Sequence, residues 1–261
     1  MLADITLFMT LQALSVLSYN MHKGFSVGNR SFVLPEIRLA LHKVNADLVF
    51  LQEIQGQHLQ NARQIAGWPE LSQIEYLAKD LWPYHAYAKN AVYEHGHHGN
   101  AILSKYPFVS WENLNVSPFS WASRSVLHAS IQLPGLSNPV HIICIHFGLL
   151  ARERRRQMAM LCRRINSHVP RDAVLIIAGD FNDWSEQANR QFHHSLGLRE
   201  VFQVMQGSHV QSFPVWLPIF RMDRIYYRGL KPIDCAGLTA SPWRLLSDHA
   251  ALTANFSLTS N

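Results

Sequence analysis

Val174-Leu-Ile-Ile-Ala-Gly-Asp-Phe-Asn-Asp183 runs five apolar residues into a glycine and then into an aspartate, an asparagine and a second aspartate. A short apolar run closed by glycine suits a strand buried on both faces, where neither side meets water. Asp180 and Asn182 stand two residues apart and share a side as long as the chain stays extended. A carboxylate there can orient water or bind a hard cation, and the neighbouring amide can donate to a phosphoryl oxygen. Asp183 points the other way and suits a cap on the following turn.

Working outward, similar β-rich runs occur at Leu14–Tyr19, Leu48–Gln52, Ala101–Ser104, Val126–Leu133, Val140–His146, Arg224–Tyr227 and Ala250–Phe256, beside Ala173–Ala178 itself. Two stretches carry helical spacing instead. Leu34, Ile37, Leu41 and Val44 recur at three- and four-residue steps behind Pro35, and Met158, Leu161, Cys162 and Ile165 do so between Ala151 and Ser167. Strands followed by helices near both ends, around a strand-rich middle, predict an α/β sandwich containing sheets. No repeat, low-complexity tract or Pro/Gly/Ser-rich linker divides the chain. Residues 1–261 therefore read as one domain, with a core over 14–257 and an extension over 1–13.

Polar residues gather where the apolar runs stop: Asn20, Glu53, His146, Asp180 and Asn182. Strand ends are where α/β folds build sites, because the scaffold is rigid and the next loop is free to vary. Any one of these residues is equally well a plain polar strand end; the set is harder to dismiss. Near the last run, Leu245-Leu-Ser-Asp-His249 adds Asp248, a candidate cation ligand, and His249, a base whose ordinary pKa lies near neutrality. Asp223 opens the preceding run and can fix that imidazole's tautomer. Glu53 ends an almost wholly apolar strand, so it needs a cation or a strong donor, with Arg124 as the structural candidate.

Composition narrows the class less. Of 261 residues, 48% are hydrophobic and 16% charged, which supplies a core and excludes a disordered chain. A net charge of +5 agrees with a phosphate-bearing partner without naming one. Three scattered cysteines, Cys144, Cys162 and Cys235, form no disulfide framework and no metal knuckle, and read as buried, reduced thiols of a cytoplasmic protein. Met1 to Ala13 is apolar but holds Asp4 and no Lys or Arg, so neither a secretion signal nor a membrane span is expected, with an interfacial anchor as the alternative.

Leu17-Ser-Tyr-Asn20, Asp47 to Glu53, Gly99-Asn-Ala-Ile-Leu-Ser104, His146, Gly179-Asp-Phe-Asn182, Met222-Asp223 and Ser247-Asp-His249, in this order, resemble the endonuclease/exonuclease/phosphatase superfamily. The resemblance spans about residues 14 to 257. It implies a deoxyribonuclease-like fold, a four-layer sandwich of two facing β-sheets flanked by helices, with the site at one edge and a monomer as the default. It also implies a metal-dependent hydrolase of phosphate esters. Glu53 would be the principal ligand of Mg²⁺ or Mn²⁺, with Asn20 and Asp248 beside it, an oxygen-rich set without thiols. His249, oriented by Asp223, would be the base or the group that stabilises the transition state. Asp180 would position water, Asn182 would hold the phosphoryl group, and His146 would donate to a phosphate oxygen or protonate the leaving group. Arg124 and Asn100 would meet the substrate. One departure stands out: Met21-His-Lys-Gly24 follows Asn20, and no acidic residue occurs between Asn20 and Glu36, where many nucleases of the family carry one.

Three further features draw lesser readings. Tyr93-Glu-His-Gly-His-His-Gly-Asn100 offers His95, His97 and His98 as zinc ligands, but reads better as a mobile polar loop at the site's mouth, with His98 on the substrate side. Arg152, Arg154, Arg155, Arg156, Arg163 and Arg164 give a basic helix face, either solvated or set against anionic lipid or nucleic acid. Phe213, Trp216 and Phe220, among Pro214 and Pro218, suggest an apolar rim near Asp223. The expected substrate is a phosphodiester or phosphomonoester in nucleic acid, a phospholipid head group or a small molecule. A catalytically silent binding module on the same scaffold and a histidine-rich zinc protein are the competing readings.

Overall fold

Every residue from Leu175 to Asp180 is buried, as a strand covered on both faces must be. That strand is the eighth of twelve in the computed structural model, which describes residues 13–93, 96–117 and 124–258. In chain order the elements are β1 (Ala13–Asn20), α1 (Leu34–Val44), β2 (Leu48–His58), α2 (Leu59–Gln64), α3 (Gln73–Ala78), β3 (Tyr84–Tyr93) and β4 (Gly96–Ser104). They continue with β5 (Phe108–Asn115), β6 (Ser125–Ile131), β7 (Val140–His146), α4 (Ala151–His168), β8 (Leu175–Asp180) and α5 (Gln187–Leu196). The last part holds β9 (Arg199–Glu200), α6 (Val201–Gln206), β10 (Asp223–Arg228), β11 (Lys231–Leu238), α7 (Trp243–Leu246) and β12 (Ala251–Ser257).

The strands form two six-stranded mixed sheets, ordered β11-β12-β1-β2-β4-β3 and β5-β6-β7-β8-β10-β9. Each sheet has one parallel pair at its centre, β1 with β2 and β7 with β8. Parallel neighbours need a long crossover, and α1 and α4 supply it. The sheets face each other across a core of Val16, Phe50, Ile102, Ile142, Ile176 and Ile225, among others. Their outer faces are covered separately. Leu17, Val49 and Leu51 pack under α1 and α3, and Ile143, Ile145 and Ile177 pack under α4 and α5. This is the expected α+β sandwich.

Strand alternation then decides which polar residues look inward. Leu14 and Val16 face the intersheet core, so Asn20 does too; Ile142 and Cys144 carry His146 with them, Ile176 and Ala178 carry Asp180, and Ile225 and Tyr227 carry Asp223. Glu53 breaks the pattern. Leu51 and Ile54 both lie on the outer face, and between them the β2–β4 register slips by one residue. This bulge, with Glu53 in the left-handed region at φ 56°, gives β2 an extra residue and turns Glu53 inward beside Gln52. A regular strand would have pointed Glu53 at the helices.

Several expectations are corrected here. The segment 96–98 is no loop: Gly96, His97 and His98 open β4, paired with β3 on one side and β2 on the other. His95 lies outside the described residues. Cys144 and Cys162 are buried free thiols, but Cys235, on edge strand β11, is half-buried. The basic face of α4 is interrupted. Arg154 is buried with its guanidinium over the Trp184 ring, 4.5 Å away, and Arg164 is held by Glu112. Of the N-terminal extension, residues 1–12 lie outside the described part. Among the described residues no helix is long and apolar enough to cross a membrane.

Candidate active site

His146, Asp180 and Asp223 stand side by side in the second sheet, because His146 is in register with Asp180 in parallel β7–β8 and Asp180 with Asp223 in antiparallel β8–β10. Gly179 makes that row so close. At φ +145° it adopts a conformation foreign to other residues, and a Cβ there would lie 2.0 Å from the Ile145 carbonyl oxygen. Facing this row from the first sheet, Asn20 donates its amide to Asp180 Oδ2 at 3.1 Å. His146 Nε2 lies 3.5 Å and His249 Nε2 3.9 Å from the same oxygen. The other oxygen of Asp180 accepts the Asn182 backbone N–H at 2.9 Å, while the Asn182 side chain donates to the Phe147 carbonyl at 3.0 Å.

His249 is fixed from behind. Its Nδ1 is 2.8 Å from Asp223 Oδ2, an oxygen that also accepts the Ser212 hydroxyl at 2.6 Å. The carboxylate therefore accepts a hydrogen bond from Nδ1–H and leaves Nε2 turned toward Asp180. Ser247 holds the next loop in place by donating to the Asn20 carbonyl at 2.7 Å, which sets Asp248 beside the end of β1.

The charges of this cluster are unusual. Burial works against a positive His249, but Asp223, by charge and hydrogen bond, with Asp180 and Asp248 behind it, outweighs that and pushes the imidazole up to about 10. Burial raises the Asp180 carboxyl toward neutrality, with Asp223 adding to the rise and His249 opposing it. His146 moves the opposite way, down to about 3, through burial and the nearby Arg124 guanidinium. It is a neutral ring at pH 7.

Glu53 lies on the other flank of the cluster. Burial would raise its pKa, but His146, Lys23, His22 and His98 together lower it to about 2. Its carboxylate accepts no hydrogen bond among the described residues; Lys23 Nζ stands 3.6 Å away. The expected structural partner, Arg124, is not the one found. His22 Nδ1 similarly lies 3.7 Å from Asp248. An ionised, inward-turned carboxylate that accepts no hydrogen bond among the described residues suits a hard divalent cation. A geometric alternative is Asp180, Asp223 and His249, whose ligand atoms lie within 4.8 Å of one another. There His249 would have to release its Nε2 proton before it could bind a metal, a cost that the already ionised Glu53 does not meet.

The remaining candidates sort by face. His98 shares the inner face with Asn100 and bears on Glu53, whereas His97 lies on the outer face with its Nδ1 2.9 Å from the Tyr87 hydroxyl. Adjacent strand residues point apart, so His97 and His98 do not converge on one zinc ion. Asn100 is fully buried and ties the sheets together by donating to the Ser125 carbonyl at 3.1 Å. It supports the strand start next to Arg124 and presents no surface. Asp183 caps the turn into α5 through the Ala188 N–H at 2.8 Å, as expected. Phe213, expected on an apolar rim near Asp223, lies with its ring 4.8 Å from that of His249, whereas Lys23 and Ser212 went unrecognised in the sequence. Only their tertiary neighbours mark them.

Comparison with known proteins bears on the fold and the family. The chain is 42% identical over 243 residues to the Uncharacterized protein YbhP of Escherichia coli (strain K12), covering 93% of this chain and 96% of that one. Among solved structures, the human Nocturnin catalytic domain with bound sulfate superposes with a TM-score of 0.73 at 17% identity, covering 96% of this chain and 95% of the other. The D. rerio TDP2 structure complexed with a single-strand DNA product gives 0.70 at 20% identity, covering 94% and 98%. At such identities these two establish the fold alone. The Endonuclease/Exonuclease/phosphatase family pattern matches residues 17–249, from the middle of β1 to His249 itself, and the chain belongs to that family.

Proposed function

We propose that the protein is a divalent-metal-dependent phosphoesterase that attacks its substrate with water. The observation that carries the reading is the pairing of His249 with Asp223 at 2.8 Å, with Nε2 facing Asp180 across the cluster. Two titratable groups whose environments move them into different protonation states are the mark of an acid–base assignment. His249 keeps its proton at neutral pH and suits the cationic group that meets the phosphoryl oxygen, rather than the base. Asp180, raised toward neutrality and held between Asn20 and Asn182, suits the group that orients water and accepts its proton.

His146 is neutral and donates an N–H to a second phosphoryl oxygen. Asn182 contributes the amide hydrogen not spent on Phe147, and Arg124 adds charge at the rim. Glu53, with Asn20 and Asp248, would hold Mg²⁺ or Mn²⁺, which neutralises charge on the phosphoryl oxygens when bound. Water adds to phosphorus as one of its protons passes to Asp180, and the ester P–O bond breaks to release a leaving oxygen that takes its proton from solvent. Fixed donors around the phosphoryl group are the largest usual contribution to such catalysis.

The test is hydrolysis of a panel with Mg²⁺, Mn²⁺ or chelator: bis-p-nitrophenyl phosphate, p-nitrophenyl phosphate, DNA, RNA and phospholipid vesicles. Turnover should require the metal, and His249→Ala should lower kcat/KM by about 10²–10³ or more. Glu53→Ala should abolish the metal-dependent turnover. Turnover indifferent to chelator and to Glu53→Ala would sink the reading.

A further inference from the structure

Sixteen large hydrophobic side chains are exposed among the described residues; seven of them sit on the loops that carry the candidate site, and an eighth, Leu245, sits on α7 beside them. Trp216, Leu217, Ile219 and Phe220 lie between Ser212 and Asp223. Leu149 and Leu150 follow His146, Trp184 follows Asn182, and Leu245, 65% exposed, precedes Ser247. These loops are joined. Arg244, beside Leu245, donates to the Trp216 carbonyl at 3.1 Å, and Arg221, after Phe220, pairs with Glu186 at 2.7 Å. Glu186 shares its turn with Trp184, whose ring lies under Arg154, and Arg154 donates to the Leu149 carbonyl. The result is one apolar rim along the edge where the site opens. It is anchored to the chemistry by Phe213 against His249 and by the Val215 N–H on the Asp248 carbonyl at 2.7 Å.

We propose that this rim seats the protein on an anionic lipid surface, so that the ester it attacks is presented at the bilayer–water interface. The identity of the bond rests on the phosphoesterase reading; the surface does not. Contiguous exposed apolar loops mark a binding surface, since solvent gives them nothing to pack against. The flanking charge matches an anionic bilayer: Arg152, Arg155 and Arg156 lie exposed on the first turns of α4 next to Leu150, and Arg244 lies next to Leu245. Five of the eight side chains are aliphatic. A surface for stacking unpaired bases needs aromatic faces, which Leu149, Leu150, Leu217, Ile219 and Leu245 do not offer.

The experiment is co-sedimentation with phosphatidylglycerol/phosphatidylcholine vesicles against pure phosphatidylcholine, in chelator so that no turnover is needed. It compares wild type, the triple variant Trp216→Ser/Leu217→Ser/Ile219→Ser and the separate variant Leu245→Ser, with binding to a single-stranded oligonucleotide measured in parallel. Wild type should prefer the anionic vesicles, and the triple variant should bind them at least about tenfold more weakly. Leu245→Ser should weaken binding roughly twofold to threefold, and high salt should weaken it for all three. Unchanged melting temperatures show that the variants fold, as exposed substitutions should. Wild type that ignores anionic vesicles, a triple variant that partitions like wild type, or a loss confined to the oligonucleotide would each overturn the proposal. Metal-supplemented turnover of the full phosphate-ester panel separates the two readings. Turnover without vesicle binding overturns the surface alone, whereas vesicle binding without turnover upholds the surface and removes the phosphoesterase.

Discussion

Asp223 decides the charge of His249, so replacing its carboxylate is informative even where the fold is untouched. In Asp223→Asn, burial meets less opposition and the imidazole pKa falls from about 10. If His249 must carry its proton, the alkaline limb of the pH–rate profile moves to lower pH and kcat/KM drops by about 10³ or more. An unmoved limb would show that His249 is not the titrating group. Lys23 makes the second residue-scale case. Its ammonium lies 3.6 Å from Glu53, in competition with any cation that carboxylate binds, and at 38% exposure it is free to swing away. Lys23→Met should therefore tighten Mn²⁺ binding by roughly threefold to tenfold in calorimetry, the range expected for a screened, half-exposed pair. Weaker binding would make Lys23 part of the site instead of a competitor. Glu53, expected at a strand end, sits inside β2 at its bulge; its carboxylate was legible from the apolar run before it, but Lys23 was not, because nothing in Met21-His-Lys-Gly24 says which carboxylate it meets.

Elements explain which strands were readable. β7, β8 and β10 are central and buried nearly throughout, so their apolar runs announce them. β5 and β11 are edge strands with mostly exposed or half-buried residues, and Pro232 and Asp234 in β11 read as loop. The β2 bulge was equally silent, since its signature is a register slip against β4 and not a residue type. Element junctions also hide a buried ion pair: Arg224, on β10, is fully buried 3.3 Å from Asp183, which caps the start of α5. Removing one partner leaves the other charge uncompensated. Asp183→Ala should cost about 3–5 kcal/mol in denaturant unfolding, and adding Arg224→Met should recover most of it. If the double variant is no more stable than the single one, the cap carries the stability and the charge pair does not.

At the scale of the whole molecule, the titrating groups shape stability against pH. His146, His98 and His128 are held neutral by burial, with pKa values down to about 3, 4 and 4. Unfolded, they take up protons below about 6.5, so stability falls as pH drops from there toward 3. Glu53, lowered to about 2, adds to that fall below 4.5. Asp180 works in the opposite sense on the acid side and is outnumbered. His249 holds a proton that the unfolded chain releases above about 6.5, so stability also falls as pH rises from there through about 10. Melting temperature in chelator should peak near neutrality, and His249→Gln should flatten the alkaline side; an alkaline side unchanged in that variant would contradict the assignment. The sequence by itself determined the central strands, the two crossover helices and the chemistry waiting at each strand end, because apolar periodicity and side-chain type are local properties. Tertiary structure alone decided that Asn20 meets Asp180, 160 positions away, that a bulge turns Glu53 inward, and that scattered apolar loops join into one rim. Those outcomes depend on which faces pack together, and packing is settled between residues that the chain keeps far apart.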